Sequence, residues 1–421
     1  MRALLVNKPG RDFAALVAAT GAANLADATF LLALPLLALG LSASPGQVAV
    51  ITVLLTAAWP VFGLPAGLIA DRLDRRRLVM VVNAARAVIL LALALLVVAG
   101  KLAMVWIWVA AFLLGIGETL VDSSLAALIP ATVRDPATLG RANARMEFAM
   151  NATNQFLGPP LAGLVAAAGL VWVTGMGALL FLATVPLLAA LSPATRTARA
   201  APAGSASSVG VADLFAGLRL IAADRLLRSL TLMTAAMNVF WAAWLAVLVV
   251  YLVAPGPGGL TPAGYGLLLS AMALGGLVGA AVVERLRRWW GDWWVLALDV
   301  LGTVLLIGTP GLTTQPVLLG MAMFVGGAGS VVWRVLVSVI RQRHAPPELQ
   351  ARVYSASRVI SWGVLPVGAG LGGLVAQFAG VRTVFILGGA ASLGLLLLYV
   401  RLVRPVDLSR AGPVTVVAGS A

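Results

Sequence analysis

Apolar residues along this chain fall in long runs, rather than in the stripe of a surface helix or the alternation of a half-buried strand. A helix needs about 20 mostly apolar residues to cross a bilayer. By that rule the runs predict spans at 13–41, 47–70, 78–100, 102–129, 143–169, 171–191, 229–253, 262–283, 293–312, 317–340, 353–379 and 382–403. The first run is too long for the core of a signal peptide and contains Asp27, so it reads as an uncleaved first helix. Residues 192–212 run through Ser, Pro, Ala, Gly and Arg, a composition that buries no core. Asp213 to Arg228 follows as an amphipathic surface helix with Leu214, Leu218 and Ile221 on one side. The expected fold is an all-α membrane protein of twelve helices: a six-helix bundle at 1–191, a linker at 192–228, a second bundle at 229–404 and a tail at 405–421.

The two halves echo each other at an offset of about 210 to 214 residues. Thr20-x-Ala22-x-Asn24 returns as Thr234-x-Ala236-x-Asn238, Asp71-Arg72-Leu73 as Glu284-Arg285-Leu286, and Gly115-x-Gly117 as Gly327-x-Gly329. Leu161-Ala162-Gly163-Leu164-Val165 returns as Leu371-Gly372-Gly373-Leu374-Val375. Parallel six-helix repeats are a transporter architecture in which substrate binds between the halves near the midplane.

Composition narrows the chemistry. Mean hydropathy is +1.02, so the solvent is lipid. A net charge of +14 suggests nucleic acid only when the cations share a solvated face. Here they stand between apolar runs. Arg75, Arg76, Arg77, Arg141, Arg285, Arg288, Arg341 and Arg404 belong to one set of loops, and only Lys101 and Arg382 to the other, which places both termini in the cytoplasm by the positive-inside rule. With no cysteine and one histidine, His344, no metal site, disulfide or cofactor is expected. No phosphate-binding loop is present, so a pump of this kind draws on an ion gradient or a partner ATPase.

Ionisable groups inside spans cost about 2.5 to 3.5 kcal/mol on insertion scales and are functional or paired. Asp27 shares a face of span 1 with Thr20 and Asn24, and is a candidate for proton coupling or for a structural pairing. Glu118 and Asp122, one turn apart in span 4, form a second candidate proton site, with Arg86 or Arg334 as alternative partners. Arg86 is expected to snorkel to the membrane surface. Glu147, Asn151, Asn154 and Gly158 share a face of span 5, as cleft lining or helix–helix contact. Phe240, Trp241, Trp244, Trp333 and Trp362 suggest an aromatic cavity, whereas Trp106, Trp108, Trp289, Trp290, Trp293 and Trp294 read as interfacial. The repeat maps Asp122 onto Arg334, which predicts a salt bridge acting as an inner gate.

Three segments resemble the major facilitator superfamily. Gly67-Leu-Ile-Ala-Asp71-Arg72-Leu-Asp74-Arg75-Arg76-Arg77 is similar to its motif A, with Asp74 at the usual second glycine. Gly158-Pro159-Pro160-Leu-Ala162-Gly163 is similar to the exporter motif C, with Ala162 for one glycine. Residues 115–143 resemble the macrolide and enterobactin exporter branch, the transmembrane secretion effectors. The resemblance implies that Gly67, Asp71, Arg72, Arg75 and Arg76 pin the cytoplasmic ends of the halves together, and that Gly158, Pro159 and Gly163 mark an exporter. The motif B arginine of span 4 is missing, and carboxylates stand in that span instead. The expected function is a proton-coupled antiporter of the bacterial inner membrane that exports a hydrophobic or amphipathic compound. Its partners are the substrate, protons and the bilayer, and it is expected to be monomeric. A lipid or lysophospholipid translocator is the rival, and a membrane-embedded enzyme a remote one.

Overall fold

In hydrocarbon, a backbone N–H or C=O without a partner costs several kcal/mol, so apolar runs of this length fold as helices. The computed structural model describes residues 10–133, 138–191, 211–346 and 349–403. The chain forms α1 (Arg11–Gly40), α2 (Pro45–Arg72), α3 (Arg75–Val98), α4 (Met104–Thr132), α5 (Leu139–Asn151), a π-helical stretch (Ala152–Leu157), α6 (Gly158–Ala168) and α7 (Leu170–Ala189). It continues with α8 (Val211–Ala223), α9 (Arg225–Leu252), α10 (Pro262–Leu312), α11 (Pro316–His344), α12 (Gln350–Gly363), α13 (Leu365–Ala379) and α14 (Val381–Leu402).

Ten of the described helical segments, with α12 and α13 taken as one, are long and apolar enough to cross a membrane. One of them, α10, turns at Gly291, with φ 76°, and supplies two crossings. The interrupted segment from α5 to α6 supplies a further one, which makes the twelve expected.

The breaks follow from sequence. Pro159 and Pro160 have no N–H for the carbonyls one turn back, and the helix widens into the π stretch just before them. Span 11 breaks at the corresponding place, between α12 and α13, ahead of Pro366. Gly169 and Gly380, with φ 143° and 87°, end these two spans in conformations that a side chain rarely adopts. Ser44 and Gln47 form a capping box at α2 with Pro45 at its first position.

The chain divides into two compact units, one holding residues 1–206, 253–255 and 259–270, the other holding the rest. The first unit thus takes in the start of α10, where Gly163 of α6 packs against Ala263. Its core includes Phe13, Leu16, Val79, Val121, Leu125 and Met146. The second unit's core gathers around Trp333, Val300, Leu336 and Tyr399, whose hydroxyl donates to the Trp293 carbonyl at 2.7 Å.

The amphipathic helix differs from the expected Asp213–Arg228. It ends at Ala223, and Asp224 starts a new helix by accepting from the Leu227 N–H at 2.8 Å. Its buried face packs against α12, where Leu220 and Ile221 meet Val353 and Ala356. Residues 192–210 of the expected 192–228 linker, and all of the expected tail at 405–421, lie outside the described residues.

Candidate functional site

Asp27 and Arg86 meet inside the first unit. Arg86 reaches from α3 to the Asp27 carboxylate on α1 and forms both a hydrogen bond and an ion pair with it. The two residues are 1% and 6% exposed. The guanidinium also lies against two aromatic rings, 4.2 Å from the centroid of Phe181 on α7 and 5.5 Å from that of Phe30 on α1. The expectation that Arg86 snorkels is therefore overturned: α7 and α1 close over it, and its charge is met by a carboxylate and two π faces. Its Nε has no partner among the described residues.

Small residues make room for this pair. A Cβ on Gly117 of α4 would stand 2.9 Å from Arg86 Cδ, so a larger residue there would push the arginine stem out of place. Thr29 and Leu90 crowd the position of Gly177 on α7 in the same way. Glu118, next to Gly117, is half-buried and within electrostatic reach of Asp27, Arg86 and Asp122. Asp122, one turn on, is exposed. One cation and two carboxyls therefore gather across α1, α3 and α4, a grouping that is electrically neutral when it holds a single proton.

The other expected lining residues divide between contact and exposure. Thr20 is buried, and the Asn24 side chain donates to its carbonyl at 3.0 Å. Asn154, in the π stretch, donates to the Asn24 carbonyl at 3.3 Å and ties the broken span to α1. The second unit has the same tie in reverse: Asn238 of α9 donates to the Ser361 carbonyl of α12 at 2.6 Å. Asn151 is held within its own helix by the carbonyl and carboxylate of Glu147, at 2.8 and 3.0 Å. A Cβ on Gly158 would collide with Ala28, so this motif C glycine sets how closely α6 approaches α1.

The five aromatic residues do not form one cavity wall. Trp244 is fully buried and stacked on Trp241, with ring centroids 5.2 Å apart. Trp333 is a core residue, and its indole N–H donates to the Thr234 hydroxyl at 3.0 Å. Trp362 is 47% exposed, with the Arg358 guanidinium 5.3 Å from its ring. Only the half-buried Trp241 and Phe240 and the exposed Trp362 keep ring surface open.

In motif A, Asp74 caps α3 by accepting from the Arg77 N–H at 3.1 Å. Arg75 donates to the Ala70 carbonyl at the end of α2, and buried Arg76 to the Ala189 carbonyl at the end of α7. Both arginines thus sit at the negative ends of helix dipoles. Gly67 is half-buried, Arg72 is exposed, and the Asp71 side chain lies outside the described residues. Arg334 is exposed on the second unit. No group of three or more potential metal-ligating side chains occurs among the described residues.

This architecture has solved counterparts. The nucleoside transporter NupG superposes with a TM-score of 0.76 at 12% identity, covering 93% of this chain and 98% of that one. A bacterial homologue of the iron transporter ferroportin, in an inward-facing state, gives 0.71 at 17% identity over 95% and 99%. A bacterial homologue of the human lysosomal transporter Spinster, inward-facing and unoccupied, gives 0.70 at 14% identity over 94% and 98%. No curated protein matches by sequence. The family described as transmembrane secretion effector matches residues 10–412. The chain therefore belongs to the transmembrane secretion effector family and has the major facilitator fold: it is a multi-pass membrane transporter, not an enzyme.

Proposed function

We propose that this transporter is a proton-coupled antiporter that exports a hydrophobic or amphipathic small molecule by alternating access. It would lie in a bacterial inner membrane with both termini cytoplasmic. The observation that carries the reading is the buried Asp27–Arg86 pair with Glu118 in reach. When Asp27 takes a proton, Arg86 loses its counterion, and Glu118 is placed to supply the negative charge in its stead. A proton passing between the two carboxyls leaves the cluster neutral throughout. Such an exchange costs less in a desolvated site than creating an isolated charge. Motif A, including Asp71 and Arg72, and a gate formed by Asp122 and Arg334 would set which side is open.

The experiment is uphill export from liposomes under an imposed pH gradient, using a compound first identified by toxicity in an efflux-deficient host. Asp27→Asn keeps hydrogen-bonding capacity but carries no titratable proton. It should abolish accumulation against the gradient while leaving binding intact, and uphill export at the wild-type rate would refute the coupling role.

One observation favours the rival reading, a lipid or lysophospholipid translocator. A groove of about 350 Å³ between α9 and α14 is lined by Leu232, Leu398 and Leu402, with Arg225 and Arg228 beside it. Its apolar lining and the two arginines suit an acyl chain with an anionic headgroup. Movement of labelled lysophospholipid by the liposomes, undiminished in Asp27→Asn, would favour this alternative.

A further inference from the structure

The two units share a packing device but fill it with opposite chemistry. In the first, Arg86 of α3 lies in the space left by Gly117 of α4. At the offset that relates the halves, the matching pair is Asp299 in the second arm of α10 and Gly329 of α11. A Cβ on Gly329 would stand 3.2 Å from Asp299 Cα and collide with the carboxylate. Where unit one has Asp27 to answer Arg86, unit two has the aromatic stretch of Phe240 and Trp241 on α9.

Among the described residues nothing answers Asp299. It is 2% exposed, and its Oδ2 has no hydrogen-bond partner among the described residues. The charged groups of the surrounding helices are held by other groups, exposed, or placed at helix ends. On α10 itself, Arg287 is held by Glu284 and by both oxygens of Asp292. On α14, Arg382 donates to the Gly311 carbonyl, the Tyr399 hydroxyl to the Trp293 carbonyl, and Arg401 is exposed. On α11, Arg334 is exposed, and Arg341, Arg343 and His344 lie in the last turn. On α9, Arg225 and Arg228 are exposed at the helix start, and Tyr251 lies near its other end. Among the described residues none of these hydrogen-bonds to the Asp299 Oδ2.

A lone carboxyl is no site for a hard metal ion, which needs about six or more oxygen ligands, or close to that with waters. A purely structural carboxyl would be expected to spend its oxygens on neighbouring donors or carbonyls, and this one does not. The ligand that remains is a proton. We propose that Asp299 is a proton-binding site of the second bundle, separate from the Asp27 cluster, that gains and loses one proton as the bundle moves. The proposal stands on the geometry of its own unit and does not depend on coupling at Asp27.

Infrared difference spectra of the full-length protein in lipid nanodiscs, between acidic and alkaline buffer, read protonated carboxyls through their C=O stretch. The wild type should show a titrating carboxyl band that is lost in Asp299→Asn and kept in Asp27→Asn and Glu118→Gln. Aspartate labelled with ¹³C at its carboxyl shows that the band belongs to an aspartate, since it must then shift, and the Asp299→Asn variant assigns it to the position. Asp299→Glu, which keeps an ionisable group, should restore a titrating band at a displaced frequency. A spectrum unchanged in Asp299→Asn overturns the proposal, as does an aspartate band that persists across the pH range. Absence of any titrating band that depends on Asp27, with the Asp299 band intact, would damage the antiport reading and leave this one standing.

Discussion

Replacing Arg86 by Met keeps the unbranched stem that packs beside Gly117 and removes only the guanidinium. Asp27 is then left buried and unanswered on α1, and removing one partner of a buried ion pair costs about 3 to 5 kcal/mol. The contacts with Phe181 and Phe30 are lost as well, worth about 0.5 to 2 kcal/mol together. Asp27→Asn should cost less, because the rings still face the cation and Glu118 lies within reach. The double variant removes both charges and should be more stable than Arg86→Met alone, with a coupling energy of about 1 to 3 kcal/mol. For a bundle of this size, a loss of about 3 kcal/mol lowers the unfolding midpoint by on the order of 10 °C. Thermal unfolding of the three variants in one detergent, followed by tryptophan fluorescence, completes the cycle. Additive effects, or an Arg86→Met variant as stable as wild type, would refute the claim that the two charges form one unit.

Two other substitutions test separate parts of the molecule. Gly158→Ala places a methyl group into Ala28 and should destabilise the protein by about 1 to 3 kcal/mol through overpacking, with partial relief from the second change Ala28→Gly, both read as unfolding midpoints. If Asp122 and Arg334 form a gate, Arg334→Ala should slow transport, and Asp122→Arg with Arg334→Asp should recover part of it in the liposome assay. A swapped protein no faster than either single variant would dispose of the gate.

The lengths and positions of the spans were legible because lipid leaves a chain few choices: a run of about 20 apolar residues with no polar partner for its backbone is a helix. The internal repeat was legible too, and in the structure it reappears as packing. Gly115 rests on Leu55 and Ala58 of α2, and Gly327 on Met272 of α10. The partner of Arg86 was not legible. Helical spacing shows which residues share a face of one helix, but it does not show which neighbouring helix closes over that face. Counted from its own helix start, Arg86 lies shallower than Asp27, and the sequence fixes neither the register of α3 against α1 nor the reach of the arginine side chain. Gly117 beside Glu118 was a usable signal, since a glycine facing a neighbouring helix often marks a bulky side chain from that neighbour. The aromatic cavity was misread for a related reason. Trp244 and Trp333 look alike as apolar surface in sequence, whether they face a cleft or a core.

Asp299 draws little attention in the sequence although it stands inside a span, because its polar neighbour one turn on is only Thr303 and no second ionisable residue lies within a turn of it. Its importance appears only when the two units are compared. The glycines at 117 and 329 do the same work of letting two helices close on a polar side chain, so the backbone packing does not dictate what that side chain is. The first unit spends the position on a cation that binds a carboxylate, and the second on a carboxylate that binds nothing described. Packing alone would be served as well by an alanine or a leucine at 299, without the cost of about 2.5 to 3.5 kcal/mol that an ionisable group carries at such a depth. A repeat that preserves the glycine and keeps an ionisable residue in each half, while inverting its charge, therefore points to a chemical use of the position in both bundles.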